Sequence, residues 1–144
     1  MRWRHRTALV GVILVLTLIP AASEQAGVSV HDAWIRETPP GVTTMAGYME
    51  LRNNTSRPQV LVAASSSGFE SVMIHHTIVK DGMAGMAHAS QIVLGANARF
   101  VFTPGGYHLM LMNPNRRLRV GDQAVIKLAF RSGLVLPVRF AVRQ

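Results

Sequence analysis

The sequence predicts an all-β fold, a single-domain sandwich or barrel. Apolar and polar residues alternate in short runs instead of recurring at helical spacing. Turn-forming residues break those runs roughly every ten residues, the rhythm of many short strands. Neither a sequence repeat nor a low-complexity segment is present, and the chain length suits one core.

The N-terminus stands apart from that pattern. Arg2, Arg4, His5 and Arg6 precede an apolar run from Ala8 to Pro20, and Ala21-Ala22-Ser23 follow. A basic segment, a short apolar core and a zone of small residues make a secretory signal peptide. The apolar run is shorter than the roughly 20 residues of a membrane-spanning helix, which counts against the competing reading, an uncleaved N-terminal anchor. Residues 1–23 are therefore expected to be a signal peptide, cut between positions 22 and 26, with the β-domain over 24–144.

The strands follow in order. Val28 to Ile35 ends at Thr38-Pro39-Pro40-Gly41, and Thr44 to Leu51 runs into Asn53-Asn54. Gln59 to Ala64 comes next, then Val72 to Val79, closed by Asp81-Gly82. Asp-Gly is a strong hairpin signal, because a type I′ turn needs positive φ at both central residues. Met83 to Val93 reads as an irregular strand before Gly95-Ala96-Asn97, and Arg99 to Phe102 precedes Pro104-Gly105-Gly106. Tyr107 to Met112 stops at Asn113-Pro114-Asn115. After Gly121-Asp122, Gln123 to Phe130 alternates only partly, and Leu134 to Val142 is the last strand.

The formal charge of +8 falls to +5 once Arg2, Arg4 and Arg6 are removed. Such a balance suits an acidic partner or an anionic surface. Nucleic acid is not expected, since the basic residues are scattered apart from Arg116, Arg117 and Arg119, and export argues against it. Cysteine is absent, so soft metal ligands have to come from methionine and a blue-copper centre, which needs a thiolate, is excluded. No nucleophile with a base and orienter, no carboxylate pair and no cofactor loop is evident, so no enzyme is expected.

The chemistry concentrates in two strands. With Asp81-Gly82 as a two-residue loop, Lys80 pairs with Met83, Thr77 with Met86 and His75 with His88. His75 and Met86 are then diagonal neighbours on one face, and His76 points the other way. In PGGYHLMLMNPN, His108, Met110 and Met112 share one face while Tyr107, Leu109 and Leu111 share the core face. Alternate residues on a strand are about 6.6 Å apart, so His108 and Met110 can converge on one ion. His75, Met86, His108 and Met110 make a set of two imidazoles and two thioethers, which selects Cu(I). Calcium and magnesium want clustered carboxylates, and none cluster here.

The order His75, Met86, His108-x-Met110 resembles the motif of the PCu(A)C family of periplasmic copper chaperones. Neighbouring text is similar as well: Ala33-Trp34-Ile35-Arg36 with Pro39-Pro40-Gly41, Tyr48 with Leu51-Arg52-Asn53, Val72-Met73-Ile74-His75, and Pro104 through Leu111. The resemblance spans most of the mature chain. It implies a cupredoxin-like β-barrel in the periplasm or outer cell envelope, binding Cu(I) through His75, Met86, His108 and Met110. It also implies a copper-acceptor protein as partner, a cytochrome oxidase subunit or assembly factor, with a monomer approaching the membrane through that acceptor. Two departures stand out. Some members place Met directly after the first His, where this chain has His76; some carry a Met- and His-rich tail for Cu(II), where it reads Ala141-Val142-Arg143-Gln144.

Other residues have blander readings. Met49 and Met73 read as core filler, Tyr107 as core and His31 as a solvated histidine. His76 is a spare ligand or a surface residue, and His88 would complete the site, guard it or titrate on its own. Met83 and Met112 are candidate outer sulfurs, and Gly105 and Gly106 form a positive-φ turn that aims His108. The competing function is a metal-free exported β-sandwich serving interaction or adhesion.

Overall fold

A computed structural model describes residues 27–144. The expected signal peptide and its cleavage zone lie outside the described residues. Ten strands and, among the described residues, no helix make the regular structure, so the fold is all-β. The strands are β1 (Val28–Arg36), β2 (Thr44–Asn53), β3 (Gln59–Ser65), β4 (Phe69–Lys80), β5 (Met83–His88), β6 (Ile92–Leu94), β7 (Arg99–Phe102), β8 (Tyr107–Pro114), β9 (Gln123–Phe130) and β10 (Val135–Arg143). One expected element divides in two. The stretch read as Met83 to Val93 leaves β4 after His88 and re-forms as β6 against β3, so its irregularity is a change of partner.

The strands hydrogen-bond in the order β5-β4-β8-β2-β1-β10-β9-β3-β6, with β7 also beside β2. On its second edge β2 pairs first with β8, through Thr44 to Gly47, and then with β7, through Met49 to Arg52. The β1–β10 pairing is parallel. Strands β3 and β4, each next to one end of this order, meet, and the end strand β6 reaches β2 at its middle, so the sheet folds around one core.

Burial fixes how the site strands face. Leu109 and Leu111 of β8 and Ile74 of β4 are buried in that core. Each contributes about 2 kcal/mol by leaving water. A slip of one residue would turn these side chains outward, so the alternate residues His75, His108, Met110 and Met112 are committed to the opposite face. The β4–β5 hairpin has the expected register, with positive φ at Asp81 (51°) and Gly82 (75°).

At the far end of β2, Asn53 is buried with every polar group engaged. Its Nδ2 donates to the carbonyls of Arg57 (2.7 Å), Gly95 (2.9 Å) and Leu94 (3.2 Å). Its Oδ1 accepts from the N–H and hydroxyl of Thr55 at 3.0 and 2.7 Å. This knot ties the β2 end to the end of β6.

Candidate metal centre

The pairing of β4 with β8 joins the two halves of the expected site. It sets His75 opposite His108, Met73 opposite Met110 and Ser71 opposite Met112. The rings of His75 and His108 lie 5.9 Å apart, and His88 of β5 stands 5.9 Å from His75 on its other side. His88 therefore flanks His75 without converging with His108. Among the described residues no three His, Asp or Glu side chains gather as a metal site, so any shared ion depends on the thioethers.

Met86, His108 and Met110 line one open cavity of about 210 Å³, floored by Thr44, Met45, Ala46 and Tyr48 and edged by Arg36 and Thr38. His75 is not part of that lining; it borders His108 from the neighbouring strand. Three of the four expected ligands thus share a cavity, and the fourth is the cross-strand partner of one of them.

The two imidazoles are prepared differently. His108 is buried, and its Nδ1 lies 3.3 Å from the carbonyl oxygen of Gly106. A carbonyl can only accept, so in the neutral ring this contact places the proton on Nδ1 and the lone pair on Nε2. The same carbonyl accepts from the N–H of Thr77 at 3.1 Å, which ties this turn to β4. In the turn, Gly105 has the expected positive φ of 81° but Gly106 does not. Gly106 is small for another reason: a Cβ there would lie 3.3 Å from the Thr103 side chain.

His75 has a buried Nδ1 with no hydrogen-bond partner among the described residues. Leaving such an atom unsatisfied costs about 1–3 kcal/mol. Burial holds this imidazole below the usual histidine range, and positive charge on His108 or His88 would push it lower still. Both effects favour the neutral, metal-binding form. An orphaned ring nitrogen beside neutral, soft donors fits Cu(I), which accepts imidazole and thioether together.

The remaining candidates separate by face. His76 stacks on Tyr107 at 4.2 Å with nearly parallel rings, away from the cavity. Tyr107 in turn packs on Phe100 and Phe102, as its core reading expects. Met83 opposes Lys80 while Met86 opposes Thr77, so Met83 lies on the opposite face and is not an outer sulfur of this site. Met112 shares the site face. Met49 is core, whereas Met73, expected as filler, is half-buried on the site face across from Met110. His31 is exposed, its Nε2 3.0 Å from the Ser29 hydroxyl. Arg36 was not among the expected site residues, although its alternation with Trp34 already put both on one face of β1.

An all-β domain with a histidine and two thioethers around an open surface cavity has the donor chemistry that suits a soft metal ion. The family model described as LpqE-like lipoproteins matches residues 28–142, and the chain belongs to that family, of the PCuAC type. A protein of Leifsonia xyli subsp. xyli named as a lipoprotein, Lxx21020, is 30% identical over 99% of this chain and 91% of its own length. The Cu(I) form of DR1885 from Deinococcus radiodurans superposes with TM-score 0.67 and 32% identity, covering 85% of this chain and 83% of that one. The copper-bound PCuAC domain of PmoF2 gives 0.69 and 26%, covering 81% and 92%. The fold is accordingly cupredoxin-like, and solved neighbours of the chain are copper-binding domains.

Proposed function

We propose that this chain is an exported Cu(I) metallochaperone, with His75, Met86, His108 and Met110 as its ligands. The observation that carries this reading is the convergence of Met86, His108 and Met110 on one open cavity, with the orphaned nitrogen of His75 next to His108. Its work is ligand exchange without catalysis. Met86 is 64% exposed on β5, the first strand in the sheet order, so an incoming donor would displace this thioether first. Buried His108 would let go last, after a shared-ligand intermediate. The lipoprotein name of its family supports export to the periplasm or outer envelope. The acceptor we propose is a cytochrome oxidase subunit or assembly factor, met by a monomer.

The test is a Cu(I) titration of the mature protein against a competing chelator, beside Met110→Ala and His108→Ala. One tightly held equivalent, lost in both variants, is expected. Variants that bind as well as the wild type would remove His108 and Met110 from the site. The metal-free interaction module predicts no Cu(I)-dependent rise in melting temperature, whereas native-state binding must raise it.

A further inference from the structure

Arg36 reaches the cavity that Met86, His108 and Met110 line, yet the proposed ligand set makes no use of it. Its guanidinium is held against two rings, with Cζ 5.8 Å from the centre of Trp34 and 5.7 Å from that of Tyr48. These rings pack on each other at 4.7 Å, as cross-strand partners on β1 and β2. Sheet register therefore builds the platform on which the guanidinium stacks.

The charge is not offset. Arg143 shares the Trp34 ring at 5.9 Å but pairs with Asp32 at 2.8 Å. Arg52 and Arg99 pair with Glu50, and Arg116 with Asp122. Among the described residues Arg36 forms no ion pair; the carboxylate of Glu37, its sequence neighbour, accepts instead from the N–H of Val120. The four proposed donors carry no negative charge when neutral. A bound copper ion keeps its full charge, and a nearby cation repels Cu(II) twice as strongly as Cu(I).

We infer that Arg36 is a specificity-determining residue that favours Cu(I) over Cu(II) through its charge. The inference rests on the copper reading above. Because Arg36 is exposed, salt must weaken the effect, which separates charge from shape.

The experiment measures Cu(I) and Cu(II) affinities of the mature wild type, Arg36→Gln and Arg36→Lys by chelator competition, at low salt and at about 0.5 M salt. Melting of the metal-free forms checks the fold. Arg36→Gln should narrow the Cu(I)-to-Cu(II) affinity ratio about tenfold, with Cu(II) affinity rising about a hundredfold and Cu(I) affinity about tenfold, as removal of one unit charge near the ion predicts. That corresponds to a midpoint potential lower by about 59 mV. Arg36→Lys should keep most of the ratio, and the wild-type ratio should itself narrow in salt. A wild type that binds Cu(I) with a salt-independent ratio, or a folded Arg36→Gln with an unchanged ratio, overturns the role of Arg36 alone. A wild type that takes no Cu(I) overturns the copper reading with it.

Discussion

The two polar side chains buried among the described residues, Asn53 and His108, are treated in opposite ways. Around Asn53 each donor and acceptor of the amide has a protein partner, so its burial costs little and the loop after β2 is fixed. Around His108 a backbone carbonyl engages one ring nitrogen, while its neighbour His75 has a buried nitrogen with no partner among the described residues. A closed polar network stabilises a structure, while an open one keeps a deficit that a ligand can fill. The contrast teaches where stability ends and binding begins in this barrel.

The largest effect should come from the closed end. Asn53→Ala strands several buried carbonyls and should cost about 3 kcal/mol in denaturant unfolding, while Cu(I) affinity stays near wild type. A large loss of Cu(I) affinity in a folded Asn53→Ala protein would break the division between the two regions.

The open end should respond the other way. His75→Leu should abolish tight Cu(I) binding yet leave the metal-free protein equally stable or more stable by about 1 kcal/mol, because an unsatisfied buried nitrogen disappears. Clear destabilisation on denaturant titration would mean that His75 has a structural task after all.

Acidity sharpens the same contrast. The folded pKa of His75 is depressed, chiefly by burial, so its unfolded imidazole takes up a proton first as pH falls below the ordinary histidine value. Metal-free stability should therefore be full above about pH 6.5 and decline as pH falls from there through the folded pKa. His75→Leu should lack that part of the decline, and Asn53, which does not titrate, should contribute none. Unfolding measured at several pH values for both proteins checks this, and identical profiles would refute it.

The smallest effect on stability belongs to the outermost donor. Met86→Ala removes an exposed side chain and should change metal-free stability by less than about 0.5 kcal/mol. Its Cu(I) affinity, followed by chelator competition, should still fall by about tenfold, a loss of about 1.4 kcal/mol.

Much of this was legible in the sequence because it is local. Alternation located the strands, and Asp81-Gly82 fixed the hairpin register that sets Thr77 against Met86 and His75 against His88. The same alternation put His108 and Met110 on one face and buried Leu109 and Leu111 on the other. Met73 reads as filler because its place across from Met110 depends on a long-range partner, β4 meeting β8. Met83 is a different case, since its parity from Met86 within the hairpin already puts it on the other face.

What the sequence determined by itself was the all-β class, the hairpin and the list of soft donors, since these follow from period-two patterning, turn chemistry and the absence of cysteine. Only the tertiary structure decided that His75 and His108 become cross-strand partners and that Arg36, from a distant strand, edges the same cavity. Side-chain periodicity says which face a residue takes; which strands lie beside one another is set by closure of the sheet around the whole core, and no short stretch of sequence contains that information.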